Sequence, residues 1–453
     1  MQDYIAEHGT RFIEELKDYL RQPSISTKRE YKQQILDTAE YLRSAFLEIG
    51  MDKAELCPTA GYPIVYAEKI VNPELPTVLV YGHYDVQPPE PLELWKSQPF
   101  EPEVRDGHIY ARGADDNKGQ FWAQFKAVEV LQKNGGIPCN IKFMVEGEEE
   151  TGSDSLPQFL RKNKEKLAAD TIILSDSTMV AADTPSITTG LRGLSYVEVE
   201  VTGPNRDLHS GLYGGIVRNP INTLCQMIAR LKDENGRITI PGFYDKVAEV
   251  TEEEKKAMEE VPITEETYKQ TLEVEETFGE AGYAAIARGT VRPTLDVNGI
   301  WGGYTDEGAK TVIPSKAYAK ISMRLVPDQS SDEITKLFTD YFKSLAPSGV
   351  RVEVRPHHGG EPIVTPIDSV AYQAAAEAYE RGFGKAPLPV RGGGSIPIVA
   401  LFKKELGLDA ILMGFGLDEN AIHSPNERMS TDIILKGVRT VAEFYSIYAQ
   451  KMK

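Results

Sequence analysis

Short, continuously apolar runs with polar ends recur through the first part of the chain: PTVLVYGH at 76–83, NIKFMVEG at 140–147 and DTIILSDS at 170–177. Strands buried on both faces require runs of this kind. Between them the period lengthens, and Ile35, Leu36, Ala39, Leu42, Phe46 and Leu47 recur at helical spacing. The alternation predicts an α/β fold in which helices cover both faces of a mostly parallel sheet. A further run, DAILMGFG at 409–416, returns to the same texture near the C-terminal end.

Between about 191 and 358 the strands alternate instead: SYVEVEVTG at 195–203, AYAKISMRLV at 317–326 and VRVEVRP at 350–356. Strict alternation predicts one-sided antiparallel strands. Helical patterns intervene at roughly 219–233 and at 331–346, where Ile334, Leu337, Phe338, Tyr341, Phe342 and Leu345 form one apolar face. The order β-α-β-α-β predicts a small α+β domain at 191–358, inserted into a larger domain made of 1–190 and 359–453. Its acidic stretch 251–280 reads as a helical, solvated excursion. The chain shows no internal repeat and no low-complexity segment.

At 453 residues the chain is long enough for two or three domains, and 41% hydrophobic with 26% charged residues is an ordinary globular composition. Sixty-eight acidic against 50 basic side chains give a net charge of −18. That charge argues against nucleic acid and anionic lipid as partners. Cys57, Cys139 and Cys225 are odd in number and lack CxxC spacing, so they predict buried, reduced thiols rather than a disulfide framework or thiolate zinc site. MQDYIAEHGTRFIEELKDYL at the start lacks the basic end and apolar core of a secretory signal, and no stretch approaches 18 apolar residues. The expected location is a reducing cytoplasm, with no membrane partner.

The candidate chemistry is positional. Each predicted buried strand ends, on its carboxyl side, in residues able to bind a metal or a proton. His83 and Asp85 follow TVLVYG, Glu148, Glu149 and Glu150 follow KFMVEG, Asp176 follows IILS, and His423 lies shortly after AILMGFG. RGADDNKGQ at 112–120 adds Asp115 and Asp116 just before a helical pattern. Ligands of open α/β sheets bind at that edge. Two carboxylates 4 Å apart repel by about 4 kcal/mol at an effective dielectric near 20, a conflict that cations remove. Carboxylates and imidazoles without thiolate suit Zn²⁺ or Mn²⁺. Two His and several carboxylates exceed the needs of one catalytic ion, so a dinuclear site with a bridging carboxylate is expected.

The strings GHYDVQP (82–88), RGADDNKG (112–119), EGEEETGS (146–153), LSDS (174–177) and AIHSPNE (421–427) resemble the di-zinc exopeptidase and deacylase family. Carnosinase-type dipeptidases, acetylornithine deacetylase and succinyl-diaminopimelate desuccinylase belong to that family. The resemblance covers nearly the whole chain. It implies that His83 and Asp176 hold one ion, Glu150 and His423 the other, and that Asp116 bridges both. It also implies that Asp85 orients the His83 imidazole, that Glu149 is the general base, and that the Asp116–Asn117 peptide is cis. Two divalent ions per subunit are expected, Zn²⁺ first and Mn²⁺ second.

DLHSGLYGG (207–215) resembles the lid motif of the same family, which implies that the inserted domain is a lid and dimerisation domain. His209 would then reach into the site of a partner subunit in a homodimer. GHYDVQPPEPLELWKSQPFEPEVRDGHIYARGADDNKG, GAKTVIP (308–314) and RLVP (324–327) are most similar to the carnosinase-like, non-specific dipeptidase branch. That branch implies Arg324 as the partner of the substrate's terminal carboxylate, a task its planar fork suits. RGGGSIP (391–397) lacks the Lys-Ser/Thr ending of a phosphate-binding loop. The resemblance makes Gly394 and Ser395 substrate contacts, with Thr311 a third. Asn117 and Arg391-Gly392 stand where animal members of the branch carry acidic residues, so specificity for a carnosine-like substrate is not implied. The expected activity is hydrolysis of the amide bond of a small peptide. Deacylation of N-acylated amino acids, which would use the same metal residues, is the alternative.

Overall fold

The computed structural model describes residues 1–394 and 396–453, with the side chains of residues 253, 257 and 397 left out. The chain forms two compact units, Met1–Thr189 with Thr365–Val390 and Leu401–Lys453, and Gly190–Val364 with Arg391–Ala400.

The first unit is built on a mixed sheet. Its spatial order is Lys53–Cys57, Ile64–Lys69, Asn140–Glu146, Thr77–His83, Thr171–Leu174, Ala410–Leu412 and Ser186–Leu191, the last belonging to this unit through Thr189. The core of the sheet is parallel: Thr77–His83 runs parallel to both Asn140–Glu146 and Thr171–Leu174, which is itself parallel to Ala410–Leu412. Period two sends Val78, Val80, Phe143, Val145 and Ile173 to one face, where they pack with Phe46, Phe121, Trp122 and Phe125. Tyr81, pointing the other way, meets the Phe402 ring at 5.2 Å. Apolar cover on both faces is why these strands carry no polar alternation.

Helix Lys118–Lys133 is buried along most of its length and is fixed at both flanks. Trp122 Nε1 donates to the Phe12 carbonyl at 2.8 Å, and Gln120 Oε1 accepts from Phe415 N at 2.8 Å. The helix therefore presents the loop ahead of it, residues 112–117, at a set place on the sheet edge. DAILMGFG forms a strand only over Ala410–Leu412. Beyond it Gly414 and Gly416 lie so close to Ser177 and to the Asp115 carboxylate that a side chain would collide, while Gly416 stays bridged to Thr178 beside the end of Thr171–Leu174.

The second unit carries a four-stranded antiparallel sheet in the order Thr294–Gly302, Lys316–Leu325, Gly193–Thr202 and Arg351–Gly360. Helix Ser331–Ser344 buries Ile334, Phe338 and Phe342 in the core of this unit. The strand Thr294–Gly302 escapes the alternation pattern because Asp296, Asn298 and Gly299 interrupt it and a bulge shifts its register between Val297 and Gly299.

Two expectations need correction. Cys225 is exposed, on the outward face of helix Pro220–Ala229, whereas Cys57 and Cys139 are buried and all three thiols are free. The acidic stretch is helical over Glu252–Glu260 and Glu265–Leu272, yet it is not simply solvated. Glu254 pairs with Arg391, Glu265 with Arg288 and the buried Glu280 with Arg292. Among the described residues no helix is long and apolar enough to cross a membrane.

Candidate metal centre

All the residues of this centre lie in the first unit: His83, Asp85, Glu149, Glu150 and Asp176 at or just beyond the carboxyl ends of its parallel strands, Asp116 in the loop before helix Lys118–Lys133, and His423 in the C-terminal segment. His83 closes the strand Thr77–His83 and is fully buried. Its Nε2 faces Asp116 Oδ1 at 3.1 Å and Asp176 Oδ2 at 3.9 Å. On the other side of the ring, Nδ1 lies 3.1 Å from the Asp85 carbonyl and 3.4 Å from the Asp85 carboxylate. Asp85 Oδ2 also accepts from Glu150 N at 3.1 Å, so one buried carboxylate ties the imidazole to the turn Glu149–Thr151.

Asp116 sits in a loop wrapped around a single buried acid. The Glu427 carboxylate accepts from Gly113 N at 2.8 Å, Asp115 N at 2.8 Å, Asp116 N at 3.0 Å and Arg112 Nη1 at 2.7 Å. The Asp116–Asn117 peptide is cis. Asn117 then staples two strand ends: its Nδ2 donates to the Ser175 carbonyl at 2.6 Å while its Oδ1 accepts from His83 N at 3.4 Å.

His423 approaches from the C-terminal segment. Its Nε2 lies 2.9 Å from Asp116 Oδ2 and 3.3 Å from Glu150 Oε2, and Gln87 Nε2 donates to that same Glu150 oxygen at 2.8 Å. The loop that presents it holds Ala421, His423 and Asn426 at positive φ. Such backbone costs of order 1–3 kcal/mol per residue and persists only where neighbours over-determine it. Here Asn426 supplies part of that constraint, accepting from Lys96 N and donating to the Leu94 carbonyl, both at 2.8 Å.

The result is two donor groups, His83–Asp116–Asp176 and Asp116–Glu150–His423, each with donor atoms within 4.8 Å of one another. Asp116 belongs to both. Donors bound to a tetrahedral zinc at about 2.0–2.2 Å would lie roughly 3.4 Å apart, and the histidine–carboxylate separations here run from 2.9 to 3.9 Å. His83 Nε2, Asp85 Oδ1 and Glu150 Oε1 are buried without hydrogen-bond partners. Buried polar atoms are seldom left so, and a cation beside His83 Nε2 and Glu150 Oε1 is their simplest complement. The residue set therefore fits a pair of divalent ions.

Electrostatics without metal are strained in the same sense. Burial, joined by the charges of Asp176, Glu150 and Asp116, pushes the Glu149 carboxyl up to about 8, although His83 opposes this. Burial likewise raises Asp176 to about 6. Burial alone would lower the His83 pKa, but Asp116 and Asp85 hold it well above the usual imidazole value. Asp116 and Glu150 raise His423 to about 10. Protons occupy the centre when nothing else positive does.

The remaining candidates lie in the second unit. His209 is exposed and pairs with Val312 in a two-stranded ladder; Thr311 is the neighbour of Val312, and its carbonyl accepts from Ser210 N at 3.0 Å. Arg324 projects from the strand Lys316–Leu325 on the side opposite the buried Met323 and Leu325. Gly394 is exposed, and Ser395 lies outside the described residues. Sequence reasoning missed Glu427, Arg112, Gln87 and Asn117 as supports of the centre. Glu427 ends AIHSPNE and Arg112 opens RGADDNKG, 315 residues apart in the chain, so no local signal in either motif marks the pairing.

The profile of peptidase family M20/M25/M40 matches residues 79–446. The chain is 32% identical to the human Beta-Ala-His dipeptidase over 465 residues, covering 99% of this chain and 92% of that protein. It is 32% identical to the Cys-Gly metallodipeptidase dug1 of Schizosaccharomyces pombe over 458 residues, covering 96% and 95% of the two chains. Among solved structures, the M20 family metallo-carboxypeptidase Sso-CP2 of Sulfolobus solfataricus superimposes with a TM-score of 0.84 at 35% identity, over 97% of this chain and 99% of that one.

Because a metal ligand must give up its proton, Zn²⁺ or Mn²⁺ added to metal-free protein at pH 7 is expected to release protons. The raised value near 10 for the ligand His423 lies above that pH, as does the value near 8 for Glu149, whose proton the charge of nearby ions would also expel. Binding heats measured in buffers of different ionisation enthalpy should differ accordingly, and apparent affinity should weaken as pH falls from 8 towards 6. Buffer-independent heats with pH-independent affinity would contradict this.

Proposed function

This chain belongs to peptidase family M20/M25/M40, and we propose that it hydrolyses the amide bond of dipeptides at a two-metal centre held by His83, Asp116, Glu150, Asp176 and His423. The pair of donor groups sharing Asp116 carries this reading. Zn²⁺ is the preferred occupant and Mn²⁺ the second, from the oxygen and imidazole character of the donors. Two such ions, when bound, polarise a scissile carbonyl and make water acidic near neutral pH.

The protein's own residues supply the rest. Glu149, half-buried beside both donor groups, takes the proton of the attacking water and returns it to the leaving amine. Asp85 holds the His83 ring in orientation from behind. Arg324 grips the C-terminal carboxylate of the substrate with its planar fork, aided by Gly394, Ser395 and Thr311. His209 donates to the oxyanion that develops on the carbonyl.

We assign His209 to the site of a partner subunit, in a homodimer joined through the 191–358 domain, which acts as a lid. Supporting this, Leu212 and Ile216 beside it are 68% and 73% exposed. So are Val297, Ile300 and Trp301, in part, on the edge strand Thr294–Gly302. Exposed apolar residues along an unpaired edge favour association. The free thiols favour a reducing cytoplasm as the setting.

Dipeptides are preferred over N-acylated amino acids because the relatives named above are dipeptidases and a carboxypeptidase. A panel of dipeptides, tripeptides and N-acetyl and N-succinyl amino acids separates the two readings.

Chelation should abolish dipeptide turnover, and Zn²⁺ or Mn²⁺ should restore it. Glu149→Gln should lower kcat by about 10²–10⁴-fold while leaving bound metal unchanged. Undiminished turnover in that variant would remove Glu149 from its role. For the lid, mixing His209→Ala with Glu149→Gln protein should recover activity through hybrid dimers, in which one site keeps both groups. No recovery, with subunit exchange demonstrated, would mean that each chain completes its own site.

A further inference from the structure

The turn that follows the N-terminal helix Gln2–Leu20 contributes no donor to the metal centre, yet it grips the backbone on both sides of the gap between His83 and Asp116. Turn and centre both belong to the first unit.

Ser24 makes the contact on the His83 side. It is fully buried, and its hydroxyl donates to the Tyr84 carbonyl at 2.5 Å. Its own carbonyl accepts from Val86 N at 2.9 Å, and Ile25 forms a parallel bridge with Val86. The backbone is thereby fixed on either side of Asp85, the carboxylate behind the His83 ring.

Lys118 makes the contact on the Asp116 side. It follows Asp116 and Asn117, opens helix Lys118–Lys133 and is fully buried. Its ammonium donates to the Gln22 carbonyl at 2.6 Å and the Tyr19 carbonyl at 3.4 Å, and lies 4.9 Å from the centre of the Tyr19 ring. Its partners are thus main-chain oxygens at the negative end of a helix, where a cation is favoured. A buried ammonium that left them would lose the bonds that offset its desolvation, so the contact is firmly kept.

The helix that carries this turn is itself held along its length. Trp122 Nε1 donates to the Phe12 carbonyl at 2.8 Å, Lys126 pairs with Glu15, and the Tyr4 hydroxyl donates to Glu129 at 3.0 Å. Residues 19–25 therefore tie the segment 84–86 to the start of helix Lys118–Lys133. The facing atoms of His83 and Asp116, which these two segments carry, are 3.1 Å apart. Asn117 links the same two sides from within the centre, and the turn links them from outside it.

We propose that Lys118 and Ser24 are positioning residues for the ion held between His83 and Asp116. Through the 19–25 turn they set the separation of these two ligands, without touching metal or substrate. The proposal rests on the two-metal reading of the centre.

Two measurements on metal-free protein test it: the affinity for Zn²⁺, and the visible absorption of Co²⁺ bound in place of Zn²⁺, which reports ligand geometry. Lys118→Met removes the donors while keeping an unbranched side chain. It should weaken Zn²⁺ binding by about 10–100-fold, the loss typical when a residue supporting a metal ligand is removed, and should shift the Co²⁺ bands. Ser24→Ala, the milder change, should weaken binding several-fold, and it decides the matter alone if Lys118→Met does not fold. Tyr4→Phe loosens the same helix at its far end and should leave affinity and bands as they are. Wild-type affinity and bands in the folded Lys118 and Ser24 variants overturn the proposal. So does an equal loss in Tyr4→Phe, which would make the helix a general stabiliser. Wild-type protein that binds no Zn²⁺ overturns the two-metal reading and this one together. Wild-type protein that binds two ions, with variants that do the same at equal affinity, overturns the positioning role alone.

Discussion

Asp85, Asp116, Glu149, Glu150 and Asp176 crowd one edge of a sheet whose interior is otherwise apolar, and their mutual repulsion is the constraint around which the first unit is arranged. At separations near 4 Å, each close pair of charges costs about 4 kcal/mol at an effective dielectric of 20. Two imidazoles relieve part of this, since Asp116 lies 3.1 Å from His83 and 2.9 Å from His423. Buried oxygens of Asp85 and Glu150 still find no hydrogen-bond partner. Such a cluster is tolerable only with added positive charge, whether protons or divalent ions. The same raised carboxyl values that make the empty centre proton-rich mark it as a place for metal.

A centre of this kind also needs a rigid frame, because like charges would otherwise part. Glu427 gathers three backbone N–H groups and the Arg112 guanidinium around one buried carboxylate, shaping the loop that carries Asp116. Asn117 joins the ends of two neighbouring strands, using its amide as donor to one and acceptor from the other. An aspartate could accept but, when ionised, could not donate. The asparagine at this position therefore changes the fastening while leaving the proposed ligand set intact.

The parallel strands were legible because burial on both faces leaves an unbroken apolar run, as in TVLVYGH and NIKFMVE. The strand Thr294–Gly302 was not, since its exposed face and its bulge erase the period. Donor residues at strand ends could be read from position alone, and their division into two groups followed the resemblance. The supports were harder to see. Glu427 and Arg112 are separated by more than 300 residues, and nothing local in either motif reveals that they meet. The acidic stretch misled for a related reason: Glu254, Glu265 and Glu280 look solvated until their arginine partners, far off in sequence for Arg391, are placed beside them.

The central claim is that Asp116 is shared between two ions. Anomalous diffraction from crystals soaked in Zn²⁺ tests this directly. Two peaks are expected per chain, about 3.5–4 Å apart, one against His83 and Asp176, the other against Glu150 and His423, with an Asp116 oxygen on each. A single peak, or two that leave Asp116 bound to only one, would contradict it.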